Sequence, residues 1–308
     1  FRETASLDQI KMIELKLSQG AKPGHGGLLP ASKISPEIAE ARGVPMGKDC
    51  VSPAAHSAFS TPIEMMEFIG TLRELSGGKP VGIKLCIGHR REFMCMVKAM
   101  LKTGITPDFI VVDGTEGGTG AAPVEFSNHV GMPMIEGLTF VHNTLRGAGL
   151  RDQIKVGAAG KIVSAFDITR ALALGADWCN SARGFMFAIG CIQAQACHTN
   201  HCPVGVATQD KMRMRALNVN HKSERVARFH HNTMEALAEM TGAAGLDHPS
   251  KFLPRHMMLR QGDKAMVEGD EVYAYLPEGY LLDDAAQDYR GNKTRWARAR
   301  AESFAPVD

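Results

Sequence analysis

The sequence predicts an α/β chain folded as a (β/α)8 TIM barrel, with an appendage at its C-terminal end. Three observations lead there. Short apolar runs alternate with amphipathic helical stretches, the pattern of βα units whose parallel strands require crossover helices. The glycine-rich and otherwise unusual loops follow the strand candidates and do not precede them, and in such barrels the strand C-terminal ends carry the chemistry. An open doubly wound sheet is the rival, because it too binds ligands at strand C-terminal ends, but no GxGxxG opens a helix here.

Six strand candidates lie between residues 11 and 182. Residues 11–18 alternate apolar and polar side chains and run into QGAKPGHGG. A short candidate at 49–51 leads into SPAAHSAFS. Thr61, Pro62 and Glu64 then start a helix: Thr and Glu three apart form a capping box, and Pro takes the first helical position. Ile63, Met66, Ile69 and Leu72 share one face of it, and Gly77-Gly78 ends it. The strand 80–86 is followed by a helix over about 91–102, stopped by Gly104. The strand 108–114 runs into TEGGTGAAP, with a helix around 135–146 behind it. The strand 153–160 precedes a helix capped by Ser164 and Asp167 and ended by Gly175. The strand 177–182 leads to a helix over about 184–196. Beyond residue 202, HCPVGVATQD reads as loop and 220–240 as helix. The barrel unit is expected over 1–250. Residues 251–308 form the extension, with strand-like fragments at 265–267 and 271–276 and a basic stretch, KTRWARARAE, that reads as a solvated helix face.

The 308 residues suffice for one large barrel or two ordinary domains. With 44% hydrophobic and 22% charged residues, disorder is excluded as the main state. A net charge of +2 gives no electrostatic case for nucleic acid or an anionic membrane. No apolar stretch approaches the roughly 18–20 residues needed to span a bilayer, and no signal peptide is visible. The chain opens on Phe1 and a polar stretch; the expectation is an upstream portion supplying two further strands and some cofactor contacts, where a membrane anchor stays open. Of seven cysteines, Cys50, Cys86, Cys95 and Cys179 are scattered, while Cys191, Cys197 and Cys202 cluster. A secreted disulfide scaffold is shorter and denser in Cys. A reducing, cytoplasmic setting is expected, with the three clustered thiols as ligands.

The trio reads C-x5-C-x4-C, closed by Pro203. That spacing suits zinc with His198 or His201 as a fourth ligand, or an iron–sulfur cluster on three thiolates. Lys84 sits late in a buried strand, where a lone cation needs a partner. Gln19 and Lys22 flank Gly20, with Pro23, Gly24, Gly26 and Gly27 behind them; such a loop brings N–H groups and a cation to an anion. Arg42 either grips a carboxylate bidentately or is an exposed helix-end charge. Gly117, Gly118 and Gly120 around Thr119 would let a loop lie against a planar ring or a substrate, with Asp113 ending the strand before it. Gly160 and the turn Ser181, Ala182, Arg183 precede a helix whose free N–H groups suit a phosphate. His25 and His56 are loop histidines open to either a functional or a local structural role. Cys50, Cys86 and Cys95 read as core residues, and the 17 methionines as packing between helices and barrel.

The segment GCIQAQACHTNHCPVGVATQD resembles the cluster segment of glutamate synthase. QGAKPGHGGLLP, SPAAHSAFST, DGTEGGTGAAP and GADWCNSARG resemble the same family's loops in the same order, over about residues 12–240. The likeness is greatest to stand-alone FMN-binding glutamate synthase-like proteins without an amidotransferase domain. The resemblance implies an FMN barrel with a 3Fe-4S cluster on Cys191, Cys197 and Cys202. It implies reductive amination of 2-oxoglutarate to glutamate through 2-iminoglutarate. Lys84, Gln19 and Glu116 would serve catalysis, with Lys84 steadying the reduced flavin. Gln19, Lys22 and Arg42 would contact 2-oxoglutarate. Gly117, Gly118, Thr119, Gly160, Ser181, Ala182 and Arg183 would hold the flavin. Three positions depart from the family pattern: Glu116 stands where Asp is common, His25 where Glu is common, and the turn 158–160 is AAG instead of an acidic DGG-like one. Electrons would come from an NAD(P)H-linked subunit or ferredoxin, and nitrogen from ammonia, an amine or a glutaminase subunit, in a chain that can oligomerise. An N-methylglutamate synthase or dehydrogenase subunit is the alternative, since one methyl is worth only about 1–3 kcal/mol in a pocket. A non-catalytic electron-transfer subunit and a zinc-structured binding module are the rivals of other classes.

Overall fold

The structure, a computed structural model, describes residues 1–306 apart from Lys264; of the expected extension, Lys264, Val307 and Asp308 therefore lie outside the described residues. Its strands in chain order are β1 (Ile13–Lys16), β2 (Leu28–Leu29), β3 (Cys50–Val51), β4 (Val81–Leu85), β5 (Phe109–Asp113), β6 (Lys155–Ala159), β7 (Trp178–Asn180), β8 (Met258–Gln261) and β9 (Ala265–Glu268). The central sheet is wholly parallel, in the order β1-β4-β5-β6-β7. Spatial order follows chain order without reversal, so the switch point of a doubly wound sheet is missing and the succession is that of a barrel. Among the described residues β1 and β7 do not pair, and the sheet is open.

The connecting helices sit where local chemistry starts and stops them. Thr61 and Glu64 form the capping box of helix Pro62–Leu75. Helix Arg90–Thr103 ends at Gly104 in the left-handed region. Ser164 and Asp167 cap Ala165–Ala173 reciprocally. Between them lies Met134–Gly147. Beneath these helices the outward residues of the sheet, among them Ile83, Leu85, Ile110, Val112 and Val156, form one core with Met66, Ile69, Phe93, Met94, Leu138 and Leu145. Cys86 and Cys95 belong to the buried set, whereas Cys50 is only half-buried.

Alternation along the strands turns the other side chains to the inner face. Phe109, Val111 and Ala159 form a second apolar cluster there with Trp178, whose ring meets Phe109 edge-on at 5.9 Å. Gly82 and Gly157 make this layer possible: a Cβ at either position would overlap the Phe109 or the Trp178 ring. Above the layer the same alternation delivers Lys16, Lys84, Asp113 and Asn180.

Three sequence expectations are corrected. The strand around 49–51 exists as Cys50–Val51, but it pairs antiparallel with Leu28–Leu29 inside the β1–β4 connection, so among the described residues the central sheet has five strands and not six. The helix over 184–196 is Arg183–Ala188 only, because Gly190, Gln193 and Gln195 take positive φ. The fragment 271–276 is not a strand; its first residues belong to the short helix Gly269–Val272.

The C-terminal residues pack onto the outer helices. Phe252, Met257, Leu276, Tyr280, Leu281 and Trp296 are buried in the same core, and Leu281 occupies the space left by the missing side chain of Gly147. The basic stretch is helical over Asn292–Arg298 and turns Trp296 inward, with the Lys98 ammonium 5.0 Å from its ring. Among the described residues no helix is long and apolar enough to cross a membrane.

Candidate functional site

A cleft of about 340 Å³ opens over the C-terminal ends of the central strands, the volume of a small-molecule site. Lys84 from β4 and Asp113 from β5 meet there at 3.2 Å. Asp113 is buried, so the pair supplies the partner that a strand-end lysine needs. Lys16 from β1 stands in register with Lys84 and donates to Gln19 Oε1 at 3.3 Å.

The glycine loop after β5 forms one wall. Gly20 lies so close against Gly114 that a side chain there is impossible, and Gly117 packs equally tightly on the Asp113 carboxylate. The Ala21 N–H donates to the Gly117 carbonyl at 2.7 Å, which locks the loop after β1 to the loop after β5. Gln19 is thereby placed beside Gly118, whose φ of +73° favours glycine. Glu116 lines the cleft, but both its oxygens accept the Met134 N–H, at 3.0 and 3.1 Å. Its carboxylate serves the N-terminus of helix Met134–Gly147, where a negative charge is favourable.

Gly160, Ala182 and Arg183 close the far end. Gly160 has φ +128° and packs on Gly114. Arg183 Nη2 donates to Thr119 Oγ1 at 3.0 Å, joining the end of β7 to the glycine loop. Ser181 Oγ donates instead to the Ile162 carbonyl at 2.8 Å and holds the turn. Lys161 and Asn180 also line this end, with the Lys161 ammonium 3.3 Å from Asn128 Oδ1. Four cations, Lys16, Lys84, Lys161 and Arg183, thus face two carboxylates, one paired and one capping a helix. The balance favours an anionic ligand.

The cysteine loop borders the same cleft through Cys191 and Cys197. Cys197 Sγ lies 2.8 Å from where a Cβ on Gly120 would be, so that glycine admits the sulfur. Cys202 is buried. Burial works against its thiolate, but the N–H groups of Ala207, Val204, Val206 and Gly205 converge on the sulfur and hold its pKa below the ordinary thiol value. Burial pushes Cys86 and Cys179 the other way, each up to about 12, helped by Asp113 and Asp167 respectively. Cys202 is thus shifted opposite to Cys86 and Cys179. Among the described residues, however, no three His, Cys, Asp or Glu side chains are grouped as a metal set.

A second cleft of about 410 Å³ adjoins the first across Lys16 and Gln19. Lys22, His25 and His56 line it. Lys22 is buried, and burial together with the charge of Lys16 pushes its pKa down. His56 Nε2 lies 3.0 Å from the Lys16 carbonyl and its ring stacks on Phe59, a satisfied loop histidine. Arg42 lies outside both linings, exposed in the last turn of helix Pro36–Arg42. The helix ends at Gly43 in the left-handed region.

The sequence reading thus finds its Gln19, Lys84, Glu116, Gly117, Gly118, Gly160, Ala182, Arg183, Cys191 and Cys197 around one cleft, with Thr119 joined through Arg183 and Lys22 next door. It misses Lys16, Lys161 and Asn180. The alternation of β1 points Lys16 inward, and Lys161 follows the glycine of a strand-end turn. Both signals were present in the sequence.

A family model described as a conserved region in glutamate synthase matches residues 3–247. A glutamate synthase large subunit-like protein of Bacillus subtilis (strain 168), YerD, is 44% identical over 272 residues, 88% of this chain and 51% of that protein. An archaeal glutamate synthase (NADPH) of Methanocaldococcus jannaschii is 36% identical over 236 residues, 76% of this chain and 46% of that protein. The glutamate synthase (NADPH) large chain of B. subtilis is 31% identical over 292 residues, only 18% of its length. The chain therefore spans about half the length of the first two relatives. A solved flavocytochrome b2 mutant with benzoylformate overlays at a TM-score of 0.45 with 15% identity, over 80% of this chain and 46% of that one, too low to add to the argument. With the family model matched over most of the chain, and the loops that build the cleft inside the match, this chain belongs to the glutamate synthase family.

Proposed function

We propose that this chain supplies the flavin-binding and substrate-binding part of a glutamate synthase-like oxidoreductase that converts 2-oxoglutarate and ammonia into glutamate. The observation that carries the reading is the single cleft in which Lys84, Gln19, the glycine loop, the Gly160–Arg183 end and two of the three clustered cysteines meet. Its residues suit FMN. Gly117, Gly118, Gly120 and Gly160 line it without side chains, which would let a planar ring lie against backbone. Gly160, Ala182, Arg183 and Lys161 offer cations and backbone N–H groups for the phosphate.

FMN, when bound and reduced by the electron donor, would supply a hydride to the carbon of 2-iminoglutarate. Lys84 would lie at the pyrimidine side of the ring, where its ammonium favours the reduced form, and Asp113 fixes that ammonium in place. Lys22 and Lys16 would hold carboxylate groups in the adjoining cleft. A dicarboxylate there would offset the burial and the Lys16 repulsion that together lower the Lys22 pKa. Gln19 spans the two clefts and would orient the substrate carbonyl.

Cys191, Cys197 and Cys202 would hold a 3Fe-4S cluster beside the flavin. The donor set fits in its chemistry: three free thiols on one loop, two on the cleft, and one already favoured as thiolate by backbone N–H groups. The electron source would be an NAD(P)H-linked partner or ferredoxin, and nitrogen would arrive as ammonia from solution or from a glutaminase partner. Lys22→Met tests the substrate assignment. Reoxidation of the reduced flavoprotein by 2-oxoglutarate with ammonia should fall by about 100-fold, with flavin content unchanged. Reoxidation at the unaltered rate would overturn the role of Lys22.

A further inference from the structure

We propose that Lys33 is a positioning residue for the cysteine loop: its ammonium spans two carbonyls of that loop and so fixes Cys197 and the backbone cradle of Cys202 against the cleft. Lys33 ends the short turn Ala31–Lys33, far from the cysteines in sequence. Its half-buried Nζ donates to the carbonyl of Cys197. The same Nζ donates to the carbonyl of Ala207 at 3.2 Å. The first bond holds the residue whose sulfur rests on Gly120. The second holds the residue whose N–H is among those that converge on Cys202. A single cation therefore ties both later cysteines to one point.

The neighbouring residues repeat the attachment. Asn200 Nδ2 donates to the Ser32 carbonyl at 3.2 Å. Asn200 is itself held at φ +69°, with its Oδ1 accepting the Gln209 N–H at 2.7 Å and its carbonyl accepting the Thr208 hydroxyl at 2.6 Å. The Ser32–Lys33 turn thus grips the loop at Cys197, Asn200 and Ala207. The turn is anchored in its own right, because the Ala31 N–H donates to Asp49 Oδ1 at 2.7 Å and β2 pairs with β3. Cys191 is held differently: its N–H donates to the Met186 carbonyl at 2.9 Å at the end of helix Arg183–Ala188. Lys33 should therefore govern Cys197 and Cys202 and leave Cys191 alone. A lysine suits the place, since its ammonium carries three donors and can serve both half-buried carbonyls at once, with charge-assisted bonds stronger than a neutral donor's.

The inference takes its functional meaning from the proposed cluster, and its test is independent of catalysis. Lys33→Met, Lys33→Gln and Lys33→Arg variants of the protein, freed of iron, are labelled with Ellman's reagent, and the sites are mapped by mass spectrometry. In Lys33→Met, labelling of Cys197 and Cys202 should quicken by about tenfold, the change expected when one charged hydrogen bond no longer restrains local opening. Cys191 should change by less than about twofold, and Cys86 and Cys95 should stay protected. Lys33→Arg should restore the slow rates. If Lys33→Met exposes Cys86 and Cys95, the chain has unfolded and Lys33→Gln is read in its place. Reconstitution with ferrous iron and sulfide should load several-fold less iron into Lys33→Met than into the unaltered protein. Unchanged rates at Cys197 and Cys202, or an equal rise at Cys191, would overturn the assignment. A protein that takes up no iron before substitution refutes the cluster, while the labelling pattern still decides the role of Lys33.

Discussion

His142 lies within helix Met134–Gly147, buried under Tyr275, whose ring centre is 4.2 Å away. Arg151 Nε donates to its Nδ1 at 3.1 Å, and its Nε2 is buried without a hydrogen-bond partner among the described residues. Burial, with Arg151 and Arg146 alongside, pushes its pKa down to about 3. The folded chain keeps the ring neutral, whereas the unfolded chain protonates it near pH 6.5. This contribution is complete above about pH 6.5 and is lost as pH falls toward 3. His142→Gln should therefore flatten the acid side of the stability profile by about 1.4 kcal/mol per pH unit between about pH 6 and 4, measured by urea unfolding. The Lys84–Asp113 pair gives a second test at this scale. Lys84→Met strands a buried carboxylate and should cost about 3 kcal/mol, with most of it recovered in Lys84→Met/Asp113→Asn. Lys84 was legible in the sequence because a cation inside an apolar strand has few physical solutions. Arg42 is harder to read, because a helix-end arginine suits solvent and a carboxylate ligand equally well.

The elements were legible where spacing and caps agree. The helix from Pro62 and the helix from Ala165 begin at their capping boxes, and the central strands alternate between a methionine-rich outer core and an inner layer. A run of three residues at 49–51 carries no record of its partner, which is why its place in a hairpin had to come from the structure. Gly190, at φ +104°, marks the break after Ala188, but the left-handed Gln193 and Gln195 that keep the helix from resuming carry no such signal. The inner layer makes the sharpest demand on sequence. Gly157→Ala drives a methyl group into Trp178 and should destabilise by about 1–3 kcal/mol. Adding Trp178→Leu should return part of that loss in thermal unfolding, and an additive double variant would show that the contact is not the cause.

For the whole molecule, the succession of parallel strands was legible from the order of strands and loops. The seating of residues beyond 250 was not, because nothing in a tail's own pattern names the groove it fills. Leu281 joins the central core at Gly147. Leu281→Ala should therefore cost about 2–4 kcal/mol and lower one common unfolding transition; a separate early transition would mean that the tail is energetically independent. Electrostatics at this scale gather cations at the strand ends of a chain whose net charge is only +2, and that local excess is the basis for an anionic cofactor. The most direct test is quantitation of flavin and iron in anaerobically purified protein, read together with its visible absorption and low-temperature EPR spectra. One FMN and about three irons per chain are expected, with flavin diminished in Lys84→Met. Protein without flavin, or carrying zinc in place of iron, would contradict this reading.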